Sequence, residues 1–381
     1  MHTVAEAVFW IALSTLGYTY FGYPLVLRLW SRWASRPVVK APFTPSVSVV
    51  IAAHNEEARI ARRIENCLAL EYPDDRLEVI VVSDGSTDRT EDIVGRYAGA
   101  RVRLAAMPHR MGKAAALNRG AAEAGGEIIV FTDARQTFEP KAVRELAANF
   151  SDPRVGAVTG ELVLREGPEE APRPATGLYW RYETWIRKAE SRIDSVVGTS
   201  GSIYAIRRRL FVPLPHGTIL DDVLIPMRIV LHGYRVVFDE QARAFDTATV
   251  RFEQEFRRKV RTLAGNYQVL RLAPELLSPV RNRLLFQYGS HKVTRLLAPF
   301  FLIALLGASA VLADGGYGVA LGLQMLGYAL AWVGWQLRRF DVRVPVMSVL
   351  TTFVMLNYAA LLGLMLFLKG RCDEPDLWVK T

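Results

Sequence analysis

The sequence predicts an α/β fold, with a mostly parallel sheet covered by helices on both faces and flanked by transmembrane helices. Three observations predict it. Strand-like and helix-like stretches alternate between about residues 46 and 268, long apolar runs occupy both ends, and two strand-like runs end on a carboxylate, Asp84 and Asp133. Open parallel sheets bind ligands at the C-terminal edge of their strands, so the two acids are expected to face one crevice.

The first strand is Val47–Ala53, followed by a helix over 57–70 with Ile60, Ile64 and Leu68 on one face. A β-branched run over 77–83 predicts the second strand. Ser86, Thr87 and Asp88 supply helix-start chemistry for a short helix over 90–97. A strand at Val102–Met107, a helix at Lys113–Glu123, a strand over 127–131 and a helix over 140–150 continue the alternation. Repeated βαβ units imply parallel pairing with both faces buried.

The apolar run over 4–30 is long enough to cross a bilayer of about 30 Å and lacks a cleavage-type small-residue motif, so it reads as an uncleaved anchor. Arg28, Arg32, Arg36 and Lys40 follow it, and the positive-inside bias places the central domain in the cytoplasm at the inner (plasma) membrane. Further runs over 293–313, 317–337 and 344–368 suit three more spans, with 281–295 as an interfacial segment of alternating basic and apolar residues. One crossing per run puts the C-terminal tail outside, whereas Lys369 and Arg371 mark it as inside; both topologies stay open. The expected division is an anchor with its basic flank (1–40), a cytoplasmic domain ending in interface helices (41–280) and a membrane region (281–381).

The net charge of +9 suits an anionic leaflet, and the spans favour membrane lipids over nucleic acid as the partner. Cys67 and Cys372 have no spacing suited to zinc or to a disulfide framework. No Gly-x-Gly-x-x-Gly opens the first helix and no Gly-Lys-Ser/Thr loop occurs, which disfavours a dinucleotide-binding dehydrogenase and a P-loop nucleotidase.

Nucleotide recognition therefore falls to carboxylates, a lysine and a metal. Asn55, Glu56 and Asp84, at strand ends, are placed to hydrogen-bond a nucleobase and ribose, although turn or cap roles explain each singly. Gly112 and Lys113 open a helix whose positive end suits a diphosphate. Asp133 offers a hard oxygen to Mg²⁺ or Mn²⁺, and Arg135 stands two residues on, where it either leaves the metal to Asp133 or neutralises part of the diphosphate. Asp221 and Asp222 sit at a helix start, one as cap and the other as general base. Arg258 and Arg261 share a helix face towards a diphosphate leaving group, a face that anionic lipid would also attract. Gly201 and Ser202 lie in a turn beside an acceptor position.

In chain order, His54-Asn-Glu56, Asp84-Gly-Ser86, Gly112-Lys113 with Asn118, Asp133-Ala-Arg135, Gly201-Ser202, Asp221-Asp222 and Arg258-Lys-Val-Arg-Thr262 resemble the family-2 glycosyltransferases. The resemblance is closest to the membrane-embedded branch with cellulose, chitin and hyaluronan synthases. It implies a Rossmann-like GT-A domain, a UDP-sugar donor and inversion at the anomeric carbon. It also implies Asp84 on the uridine, Asp133 on metal and diphosphate, Asp222 as base, and Arg258 and Arg261 at the diphosphate and acceptor. Arg135 replaces the second acid of the metal motif, and Thr262 replaces a Trp that serves as a sugar platform. Tyr179, Trp180 and Trp185 could substitute for that platform or pack a helix.

The expected function is sugar transfer to a growing polysaccharide at the inner membrane. The alternative is transfer of one sugar to a lipid acceptor such as a polyprenyl phosphate or ceramide-like lipid. A non-catalytic, nucleotide-sensing partner of a synthase is a third class, disfavoured because the base and arginines remain. A separate secretion partner stays open.

Overall fold

The computed structural model describes residues 2–99, 101–165, 178–247, 252–338, 340 and 344–370. Arg371, Cys372, Arg339 and the connector over 341–343 lie outside them, as do the side chains of Leu178 and Tyr179.

One eight-stranded sheet organises the domain: β1 (Val47–Ala53), β2 (Leu77–Asp84), β3 (Val102–Met107), β4 (Ile128–Asp133), β5 (Thr137–Phe138), β6 (Val155–Arg165), β7 (Tyr204–Arg207) and β8 (Arg235–Thr247). The spatial order is β3-β2-β1-β4-β7-β6-β8-β5. The first four strands pair in parallel, as the alternation predicts. Beyond them the sheet turns mixed: β7 runs antiparallel to β4 and β6, β5 antiparallel to β8, and β6 parallel to β8. The second half is therefore less parallel than the first.

The helices are α1 (His2–Trp33), α2 (Ile60–Leu68), α3 (Thr90–Gly95), α4 (Lys113–Glu123), α5 (Ala142–Ala148), α6 (Leu178–Ile193), α7 (Asp221–Leu231), α8 (Phe252–Leu272), α9 (Leu285–Leu312), α10 (Gly315–Arg338) and α11 (Pro345–Leu368). Strand alternation assigns the core. Val47, Val49 and Ile51 of β1 pack with Ile60, Ile64, Val143 and Leu146 on one face, whereas Val50 packs with Leu117, Leu224 and Ile229 on the other. The helix expected from residue 57 begins only at Ile60. Asn55 takes φ 54°, a left-handed conformation that Asn tolerates, and residues 56–59 form a turn first.

Helices α1, α9, α10 and α11 are long and apolar enough to cross a membrane. The segment expected to lie at the interface, 281–295, divides: from Leu285 it is continuous with α9 through a π-helical turn at Gly289–Val293. Helix α6 covers α1, with Ile186, Ala189 and Ile193 on Tyr23 and Leu27. Tyr182 bonds the Tyr20 carbonyl, so at least this aromatic of α6 packs the helix rather than offering a platform.

Helix α8 is amphipathic and lies against α11. A Cβ on Gly363 would come within 2.8 Å of the Ala264 backbone nitrogen, so the two backbones meet where only glycine fits. Phe256 stacks on Tyr358 and Tyr267 on Phe367 along the same seam. Gly363→Val is expected to lower stability by about 1–3 kcal/mol through overpacking, measured as unfolding of the full chain in lipid nanodiscs.

Candidate active site

The loop that delivers the lysine is fixed by Asp84 and Gly85. Both Asp84 carboxylate oxygens accept backbone N–H groups, from Met111 at 2.6 Å and Gly112 at 2.8 Å. The Asp84 side chain is therefore occupied with this loop, which is a structural use of the residue singled out for the uridine. Gly85 has φ 59°, and a Cβ there would stand 2.5 Å from the Arg110 nitrogen, so glycine lets the loop cross the strand end. Gly112, at φ 91°, then starts α4 with Lys113 as its first residue.

Asn55 and Glu56 serve the neighbouring loop. Asn55 Oδ1 accepts the Thr87 N–H at 2.7 Å, and Glu56 pairs with Arg59 at 3.3 Å. His54 Nδ1 meets the Asp84 carbonyl at 2.7 Å, which ties the β1 and β2 edges together.

The centre is Lys113. Its side chain is 15% exposed, and its ammonium lies 2.9 Å from Asp133 Oδ1 and 3.3 Å from Asp221 Oδ1. Burial disfavours its charge, but Asp133, Asp221 and Asp222 outweigh that and raise its pKa. In return, although burial would raise Asp133, the Lys113 ammonium holds its carboxyl below the usual range. Arg261 of α8 adds positive field to Asp133 and to both acids of α7. Tyr204 of β7 donates to Asp221 Oδ2 at 3.0 Å, and burial together with that carboxylate pushes its phenol well up.

Asp222 differs from its neighbours. Burial, then the charge of Asp221, lifts its carboxyl to about 6. It sits at the start of α7, and Gly201 donates its N–H to Oδ2 at 3.2 Å. A Cβ on Gly201 would stand 3.2 Å from that oxygen and 3.6 Å from Lys113 Nζ, so glycine leaves a space between the Asp222 carboxyl and the ammonium. Pro226 explains how the loop is held. It has no N–H for the Asp222 carbonyl four residues earlier, and Thr199 takes that carbonyl with its N–H at 2.7 Å and its hydroxyl at 2.9 Å. Ser202, 7% exposed, contributes its carbonyl, which accepts the Thr132 hydroxyl at 2.8 Å.

The structure thus brings Lys113, Asp133, Asp221, Asp222, Gly201 and Arg261 together. Arg258 lies near Arg135, Glu255 and Asp246. Arg135 pairs with Asp246 at 3.1 Å and lines a cleft with Arg59, Arg62 and Gln136. Sequence reasoning missed four residues here. Arg63 is 1% exposed under the end of β4, bonding Thr132 at 3.0 Å and stacking on Phe138; Tyr204, Arg187 and Lys292 were also missed. Nothing in the local sequence marks them, because each reaches the site from a distant element.

The sequence around this centre matches known proteins. Residues 48–212 match the profile of Glycosyl transferase family 2. The chain carries a family-2 glycosyltransferase domain. A probable glycosyltransferase, YdaM, of Bacillus subtilis is 30% identical over 256 residues, covering 64% of this chain and 60% of YdaM. The poly-beta-1,6-N-acetyl-D-glucosamine synthase of Staphylococcus aureus is 23% identical over 274 residues, covering 71% of this chain and 65% of the synthase. The chain thus spans under two thirds of the length of these relatives. Among solved structures, a Pyrobaculum calidifontis mannosyltransferase, PcManGT, in complex with GDP-Man and Mn2+ superposes with a TM-score of 0.72 at 24% identity, over 96% of this chain and 99% of its own. That likeness establishes a shared GT-A fold, with the family-2 domain holding the strand-edge acids described above.

Two outcomes test this geometry. Thr199→Val is expected to cost about 1 kcal/mol, since the Asp222 carbonyl loses one of two donors, read by denaturant unfolding. Lys113→Gln leaves Asp133 and Asp221 without their ammonium and is expected to cost about 2 kcal/mol, discounted for the partly exposed Asp133, read the same way.

Proposed function

We propose that this chain transfers a sugar from a UDP-sugar to an acceptor hydroxyl at a membrane, with inversion at the anomeric carbon. The observation that carries the reading is Asp222. It is a carboxyl lifted to about 6, beside the glycine-lined space, while its neighbours are held by Lys113 and Tyr204. A base poised near neutral pH removes a hydroxyl proton as the oxygen attacks. Lys113 at the start of α4, with Arg261, offers positive charge to the departing diphosphate.

The residues present fit a divalent cation of limited kind. Asp133 is one hard carboxylate, and Arg135 is turned to Asp246, so Mg²⁺ or Mn²⁺ held by Asp133 would take its other ligands from diphosphate and water. Such an ion would supply further charge stabilisation to the leaving group. Asn55, Glu56 and Asp84 shape the edge where the uridine is placed, and Arg258 stands behind the diphosphate.

The synthase relatives support a growing polysaccharide as acceptor. Thr262, which points its hydroxyl back to the Arg258 carbonyl at 2.9 Å and offers no aromatic face, favours the second reading, a lipid acceptor. The catalytic domain is placed on the cytoplasmic side, with α1, α9, α10 and α11 in the inner membrane.

The test is nucleotide release from a panel of UDP- and GDP-sugars with Mg²⁺ or Mn²⁺, using the full chain in nanodiscs. Asp222→Asn is expected to lower donor-selective release by about 10²–10⁴-fold; unchanged release would exclude Asp222 as the base. Because Asp222 acts in its ionised form, the rate should rise with pH through about 6 and then level off. The residual rate of Asp222→Asn should lack that step.

A further inference from the structure

Helix α11 is long and apolar enough to cross a membrane, and a crossing would carry Lys369 to the side away from the acid cluster. Its contacts run differently. The two ends of the apolar bundle are marked by its other helices. Phe9 of α1, Leu312 of α9 and Tyr317 of α10 meet at the end remote from the domain. At the near end α6 covers Tyr23 and Leu27 of α1, and Trp30 meets Phe286 at the start of α9. Helix α10 runs back from the remote end along α9, with Gln324 donating to the Leu302 carbonyl at 2.9 Å.

The first turns of α11 lie against the last turns of α10. The Thr351 hydroxyl reaches the Ala331 carbonyl at 3.1 Å, and Arg338 donates to the Ser348 carbonyl at 3.1 Å. Phe353 then meets Tyr20 of α1, two residues from the Tyr18 hydroxyl that bonds Ser290. A crossing helix would continue along α10 to the remote cluster. The second half of α11 follows α8 instead, with Tyr358 on Phe256, Gly363 on the Ala264 backbone and Phe367 on Tyr267. The Tyr267 hydroxyl donates to the Leu296 carbonyl at 3.1 Å, and Leu312 stands about 24 Å farther along α9 at about 1.5 Å per residue. Among the described residues no part of α11 joins the cluster of Phe9, Leu312 and Tyr317.

Helix α8 fixes the level of its neighbour. It carries Glu253, Glu255, Arg258, Lys259 and Arg261, and Gln268 ties it to the loop before Asp221, accepting the Ile219 N–H and donating to the Gly217 carbonyl, both at 2.9 Å. A helix so charged stays with the domain rather than in a bilayer core. Yet α11 keeps one apolar face uncovered. Val346, Val349, Tyr358, Met365 and Leu368 are exposed, while Thr351, Met355, Ala359 and Gly363, four apart, are buried against protein.

We propose that α11 does not cross the membrane but lies along its cytoplasmic leaflet, with the exposed face in lipid and the buried face roofing α8. Only α1, α9 and α10 then cross. The inference rests on the placement of those helices and the domain proposed above, and not on the chemistry. Arg32, Arg36, Arg338 and Lys369 come to share one side, as the bias of basic residues requires, whereas a fourth crossing would leave Lys369 outside.

The experiment labels single cysteines in bacterial spheroplasts carrying the full chain, with Cys372→Ser to remove a competing thiol; Cys67 is buried. An impermeant maleimide should reach Asp314→Cys, between α9 and α10, from outside. Phe340→Cys and Lys369→Cys, which bracket α11, should gain label several-fold on permeabilisation. Outside label on either end of α11, with Asp314→Cys also labelled, would overturn the inference and leave the placement standing. Asp314→Cys labelled only after permeabilisation would remove both. A nitroxide on Met365→Cys in nanodiscs tests the lipid face, since oxygen should reach it several-fold better than a water-soluble nickel chelate does. Nickel access equal to that of a label at Arg96, exposed at the end of α3, would overturn the lipid contact.

Discussion

The site depends on one buried ammonium. Lys113 holds Asp133 from the end of β4 and Asp221 from the start of α7 at 2.9 and 3.3 Å, and its field extends to Asp222. Three carboxylates could not be packed at one sheet edge without it, because each is disfavoured by burial and repelled by the others. The remaining asymmetry follows. Asp133 has Lys113 at close range and Asp221 also has Tyr204, whereas Asp222 has a backbone N–H and more distant cations, and burial with the charge of Asp221 lifts it towards neutrality.

The surrounding fold makes that arrangement repeatable. Asp84 spends its carboxylate on the loop that starts α4, so the lysine arrives at a fixed height. Pro226 opens the first turn of α7 and hands the Asp222 carbonyl to Thr199, so the loop carrying Gly201 is fastened to the helix carrying Asp222. The mixed half of the sheet supplies the last part, since β7 pairs antiparallel with β4 and brings Tyr204 under Asp221.

Much of this was legible in the residues and some was not. Strands β1 to β4 announce themselves because both faces are buried, which gives runs such as Val79 to Val82 that only a covered parallel strand tolerates. The later strands do not. Strand β7 has four residues, β5 has two, and β6 and β8 carry charges along long irregular ribbons. Lys113, Asp133, Asp221, Asp222, Gly201 and Arg261 were readable as chemistry-bearing types at strand and helix ends. Asp84 was readable as important, but its role in bonding a loop backbone is a matter of conformation that residue type does not encode. Arg63 sits on an otherwise apolar helix face, Lys292 near the start of a helix whose local pattern speaks only of the membrane, and Arg187 on the charge-rich helix α6. Their proximity to Asp222 is a property of packing across long stretches of chain.

Gly363 gives the arrangement a further consequence. Through it α11 touches the backbone of α8 at Ala264, one turn from Arg261, and α9 carries Lys292 near Asp222. The acid cluster is therefore framed by helices long and apolar enough to cross a membrane. A fragment cut from these helices would lose two walls of the acid cluster. With those helices in a bilayer, as proposed, a change in its thickness would bear on Asp222 and Arg261 as a mechanical load.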